Sequence, residues 1–321
     1  MIAPIAAALA LCAVALPAAS QNYPSKPIRL VVPFPPGGGT DFFARTVGAK
    51  MSDTLGQSVV VDNRPGGSTI IGAENVKMSP SDGYTVLLGD LGTYALNPSL
   101  FKKLPYDPAA DFAPVTLTGR FVLAIAVNPT ALNVNSIQEL IDAAKKAPGK
   151  IAYASPGTGS PHQLAMELFA KEAGIKLLHV PYKGAAPAIQ DLIGGQVAVM
   201  PIDLAAGQAA IKSGKIKVLG TATPSPVAAL PGVPTIASAG LPGFEAWAWQ
   251  GFSVPKGTPP DVVARLREGY VQAVADPAVR AKLVEAGIEP LQSTPQEMAS
   301  YMSAENAKWS KVIKDANISL E

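Results

Sequence analysis

The stretch "VVPFPPGGGTDFFAR" (residues 31–45) joins two patterns. Val31 and Val32 end a β-branched run that begins at Ile28, and prolines stop it. Gly37, Gly38 and Gly39 follow, and Thr40-Asp41 opens a segment in which Phe43, Val47, Met51 and Leu55 recur every fourth residue before Gly56. A strand thus hands over to an amphipathic helix through a loop almost bare of side chains. Glycines let the main chain approach a ligand closely, and the free N–H groups and dipole of a helix N-terminus favour an anion.

The design recurs at "SPGTGSPHQ" (155–163), where a short apolar strand again leads through glycines into a capped helix. Either loop alone is a common α/β turn; two from different parts of the chain, facing each other, would clamp an anion. Around them short apolar strands alternate with helical patterns: 28–32, 58–61, 85–88, 121–127, 151–154, 177–180, 197–200 and 216–220. That alternation predicts an α/β fold with mostly parallel sheets. Ser136-x-x-Glu139, Ser160-Pro161-x-Gln163, Thr294-Pro295-x-Glu297 and Asp276-Pro277 mark helix starts. A Pro-rich segment, 223–243, reads as a long crossover.

At 321 residues the chain exceeds the size at which one core usually splits. Two lobes on a hinge are expected, with residues 21–121 and the return segment 245–321 forming one and residues 122–244 the other. Residues 1–20, "MIAPIAAALALCAVALPAAS", are apolar and uncharged and end in a small-x-small pattern, which predicts a cleavable secretory leader and a mature start near Gln21. The single cysteine, Cys12, falls inside it, so the mature chain carries no thiol. A net charge of +2 without basic runs argues against nucleic acid or an anionic membrane surface. Two histidines, His162 and His179, are too few for the usual zinc sets, there is no G-x-S-x-G elbow, and "GGGTDFFA" fits neither phosphate loop nor dinucleotide spacing. No metal, no cofactor and no catalysis are expected.

"YPSKPIRLVVPFPPGGGTD", "VVVDNRPGGS", "DGYTVLLG", "NPSLFKKLPYDP", "YASPGTGSPHQLAMELF", "HVPYKGAAPAIQDLIGGQV" and "LPGVPTIASAGLPGFEA" occur in this order along the chain. Together they resemble the receptor components of tripartite tricarboxylate transporters, the TctC-like or Bug proteins. The resemblance implies a monomeric periplasmic receptor of the two-lobed binding-protein fold. It would close on a small organic mono- or dicarboxylate and pass it to a tripartite tricarboxylate-type membrane permease. Carried over by position, it points to Gly38, Gly39, Thr40 and Asp41 on one side and Ser155, Gly157, Thr158 and Gly159 on the other. Phe34, Thr93, His162 and Asp203 complete the expected ligand-binding set. The chain departs from the family pattern at Asp90-Leu91-Gly92-Thr93-Tyr94 and at Met200-Pro201-Ile202-Asp203, where the usual acidic position is displaced by one. Trp247 and Trp249 read as core, or as stacking groups for an aromatic acid. The same cleft would also serve a receptor that signals to a sensor kinase, and an enzyme on this fold would need a perturbed acid or base there.

Overall fold

The structure, a computed structural model, describes residues 23–315 and 318–320. The expected leader, with Cys12 and the cleavage point, lies outside them. The chain opens with β1 (Ile28–Val32), α1 (Gly39–Leu55), β2 (Val59–Asn63), α2 (Ile70–Lys77) and β3 (Thr85–Asp90). The predicted stripe of α1 is the face it buries: Phe43, Val47, Met51 and Leu55 all pack inward, and Gly56 closes the helix in the left-handed conformation. Each such side chain contributes about 1.5–3 kcal/mol of burial. A π-helical turn at Gly92–Leu96 runs into α3 (Asn97–Leu100), followed by a sixteen-residue strand, β4 (Phe112–Val127).

The chain then continues through α4 (Ile137–Lys146), β5 (Ala152–Ser155), α5 (Pro161–Ala173), β6 (Leu178–Pro181), α6 (Ala185–Ile193), β7 (Val199–Asp203), α7 (Leu204–Lys212) and β8 (Lys217–Thr221). It returns as β9 (Trp247–Pro255), α8 (Pro260–Ala275), α9 (Pro277–Glu285), β10 (Ile288–Pro290) and α10 (Pro295–Asp315). The expected caps form. Ser136 Oγ accepts from Glu139 N, Asp276 Oδ1 accepts from the N–H groups of Ala278 and Val279, and Thr294 and Glu297 exchange reciprocal bonds.

The strands are ordered β2-β1-β3-β9-β4-β7-β5-β6, with β8 and β10 also on β4. The α/β expectation stands, with parallel ladders in two groups: β1 with β2 and β3, and β5 with β6 and β7. Antiparallel ladders join the groups, and every one involves β4 or β9. β4 pairs with β9 as far as Val122↔Trp247 and with β7 from Leu123↔Asp203 onward. One continuous strand therefore belongs to both groups. The segment between β8 and β9 crosses back without regular structure beyond a bridge, Thr221↔Thr235.

Trp249 is fully buried, stacked on Tyr94 at 6.0 Å, with Nε1 donating to Glu305, so its reading as core holds. Trp247 lies under the Arg120 guanidinium.

Candidate ligand cleft

The first glycine loop follows from how β1 ends. Strand pairing stops at Val32, the prolines cannot extend it, and Gly37 turns the chain at φ +86°. Gly38 then caps α1 in extended conformation with no side-chain cap bond, so the first turn presents bare N–H groups. Asp41 does not join them. Its carboxylate is buried and turned back, accepting from Gly37 N (3.1 Å), Arg45 Nε (3.0 Å) and Asn63 Nδ2 (3.0 Å). Burial works to raise the acid's pKa, but the bonds from Arg45, Gly37 and Asn63 outweigh it and hold the group below the usual carboxylate range. Asp41 thus braces the loop, and it is not among the residues lining the cavity below.

The second loop spends its donors on itself. Ser160 Oγ caps α5 by accepting from Gln163 N (3.2 Å), Gln163 Oε1 accepts from Gly159 N (2.7 Å), and Ser160 N donates to Gly157 O (3.2 Å). Ser155 is fully buried beneath it, its Oγ 2.7 Å from His179 Nε2, 3.0 Å from Gly157 O and 3.2 Å from Gly157 N. Ser155 too braces its loop, and it does not line the cavity below. Thr158 is exposed at the tip.

Between the loops lies a cavity of about 750 Å³. It brings together nine of the twelve expected residues: Phe34, Gly38, Gly39 and Thr40 from the first loop, Gly157, Thr158, Gly159 and His162 from the second, and Asp203 at the end of β7. Thr93 is not among them. Its side chain is fully buried, with N and Oγ1 both donating to Asp90 Oδ1 at 2.8 Å. Asp203 is also the N-cap of α7, its Oδ1 accepting from Ala206 N (2.8 Å), while His162 Nε2 lies 3.3 Å from its Oδ2.

Sequence reasoning missed a third wall, residues 65–69 of "NRPGGS" and the following threonine. Gly66, Gly67, Ser68 and Thr69 take four consecutive positive φ values, +128°, +54°, +52° and +77°. Non-glycine residues hold such angles only where surroundings fix them. Here Ser68 Oγ donates across the cleft to Thr158 O (2.9 Å), and Thr69 Oγ1 accepts from Asn97 Nδ2 (3.2 Å). The two adjacent glycines were the available signal. Asp90, Gln250, Phe121, Tyr182 and Lys183 also line the space. Of these, Asp90 and Gln250 sit on neighbouring strands as direct cross-strand partners. Burial drives the Asp90 carboxyl above its ordinary range, against hydrogen bonds from Thr93 and Gly92 and the charge of His162. His179, off the cavity, is pushed down by burial.

Residues 43–318 match the family described as tripartite tricarboxylate transporter family receptor, and the chain belongs to that family. The solved structures similar to this chain include the following three. A protein of R. palustris with adipate is 38 % identical over 92 % of this chain and 99 % of its own, at TM-score 0.89. The periplasmic binding protein BugD is 34 % identical over 92 % and 99 %, at 0.87. MatC from Rhodopseudomonas palustris with bound malate is 31 % identical over 91 % and 100 %, at 0.85. The expected fold, that of a periplasmic binding protein, is thus the observed one, and two of these relatives were solved holding carboxylates.

Proposed function

We propose that this protein is an extracytoplasmic receptor that captures a small organic carboxylate between its two glycine loops and delivers it to a tripartite tricarboxylate-type permease. One observation carries the reading: the uncapped N-terminus of α1 and the 157–159 loop face a common cavity from the two strand groups. A carboxylate there accepts hydrogen bonds from the α1 N–H groups and lies at the positive end of the helix dipole. Phe34, Gly38, Gly39, Thr40, Gly157, Thr158, Gly159, His162 and Asp203 form its surroundings.

The change of β4 partner after Val122 supports a lobe boundary at 121/122, and the entry of β9 at Trp247 supports the return at 245. Closure about these crossings brings both loops onto the ligand. The mature chain begins near Gln21, and N-terminal sequencing of periplasmic protein tests that point.

The function is tested by thermal shift against adipate, malate, amino acids and aromatic acids, with neutral sugars as controls. A ligand at a hundredfold excess over its Kd stabilises by about 2.7 kcal/mol, a shift of several degrees. Stabilisation by a sugar and by no acid overturns the reading. Mass spectrometry of copurified ligand, and capture of the permease from membranes, extend it.

A further inference from the structure

The cavity is asymmetric in charge. α1 offers bare N–H groups at one wall, and acceptors stand next to them. Asp90 is 4 % exposed and Gln250 3 % exposed, and both line the space. They are register partners across β3 and β9, which places their side chains side by side on one face of the sheet.

Asp90 takes hydrogen bonds from Thr93 N and Oγ1, neutral donors, and burial pushes its carboxyl toward the protonated form unless a cation is placed beside it. Gln250 Nε2 donates to Thr40 Oγ1, which leaves Gln250 Oε1 buried and without a partner. A buried acceptor with nothing to accept is costly, and an uncompensated buried carboxylate more so. Asp203 adds a second carboxylate to the lining, against Gly39 of α1 and with its Oδ2 3.3 Å from His162 Nε2. Among the described residues lining the cavity, Lys183 is the one lysine or arginine, and it is exposed. A second ligand carboxylate placed on this floor would face Gln250 Oε1, an acceptor, and could not help Asp90 to ionise; an ammonium group would donate to Gln250 Oε1 and hold Asp90 in its ionised form. The Thr40–Gln250 bond sets the floor directly beside the α1 N-terminus, within reach of a single small molecule.

We propose that Asp90 and Gln250 form a subsite for a protonated amine, so that the ligand class of this cavity is a carboxylate that also carries an ammonium group. This rests on the carboxylate reading above and adds the second functional group.

The test is titration calorimetry near neutral pH with probes on one five-carbon chain: pentanoate, glutarate, 5-aminopentanoate and both enantiomers of 2-aminopentanoate. The expected result is that at least one amino-bearing probe binds about tenfold or more tighter than both pentanoate and glutarate. In Asp90→Asn, which keeps the shape and the capping ability of the side chain, that ratio falls toward one. Glutarate or pentanoate binding as tightly as every amino-bearing probe overturns the proposal and leaves the carboxylate receptor standing. Binding by none of the five overturns both. The wild-type ratio decides by itself, so a poorly folding variant does not shelter the idea.

Discussion

The two glycine loops look alike in sequence and do opposite things in three dimensions. Both follow a strand, both contain glycines at 37–39 or at 157 and 159, and both open a helix. The first leaves its helix uncapped, and its one acidic side chain, Asp41, turns away to brace the turn. The second satisfies its helix start with Ser160 and Gln163 and rests on Ser155 and His179. One loop is a donor surface; the other is a shaped, self-contained lip whose offering is the Thr158 tip and His162. The clamp proposed above would therefore be one electrostatic jaw closing on one steric jaw.

The comparison breaks most visibly at Gly39. A Cβ there would overlap Asp203 Oδ1 and come within 2.9 Å of its Cγ, although Gly39 does not hold a positive φ. Gly39→Val is expected to weaken binding of a stabilising acid by about 1–3 kcal/mol, because it must push the cap of α7 off the α1 N-terminus. Gly38→Ala is the comparison: its Cβ would meet only Ala185 Cβ at 3.8 Å, so any affinity lost there reports contact with the ligand and not a clash with Asp203. Calorimetry on both variants separates a steric effect at one position from general loss of glycine. Equal affinities in Gly39→Val and wild type would sink the first loop as a jaw.

Next in size is Thr158→Ala, which removes the exposed hydroxyl of the lip. The loss should be about 1–2 kcal/mol of affinity if that hydroxyl meets a charged carboxylate, with the fold unchanged. Ser160→Ala follows. It deletes a cap and should cost about 1 kcal/mol of stability, read by denaturant unfolding. No equivalent cap exists to be deleted on α1, so the two helix starts respond differently to the same kind of substitution.

What could be read beforehand follows the same division between local and long-range causes. α1 was legible because its stripe and its terminal glycine act within one element. The eight short strands were legible because their apolar runs are interrupted by turns. β9 was not: Gln250, Gly251 and Ser253 break the alternation, and they are inside because β3 and β4 enclose them on both sides. The first half of β4 was hidden by Pro114 and Gly119, beside which the pairing with β9 shifts register, at Val115 and Thr118. Within the site, main-chain loops were visible from composition alone. The pairing of Asp90 with Gln250 was not, because it joins residues far apart in sequence through a register that no local pattern encodes. Asp41 and Ser155 were expected as walls from the family resemblance, and Thr93 was expected beside them. Each instead found a nearer backbone or side-chain partner, as a short polar side chain beside a turn tends to do.

The smallest effect concerns Asp41, and it sharpens the contrast by pH. Its folded pKa is lowered, despite burial, by the bonds from Arg45, Gly37 and Asn63. A group whose pKa is depressed on folding contributes stability that is fully present above its unfolded pKa of about 3.9 and is lost as pH falls through the folded value. Asp41→Asn should therefore be slightly less stable than wild type at neutral pH, by under about 1 kcal/mol, since one partner, Arg45, is largely in solvent. The gap should close as the medium is acidified below the unfolded pKa. Urea unfolding of both proteins across that range measures it. A gap that stays constant with pH would mean that shape and hydrogen bonding, and not ionisation, hold the first loop in place, making the two loops more alike than their hydrogen bonds imply.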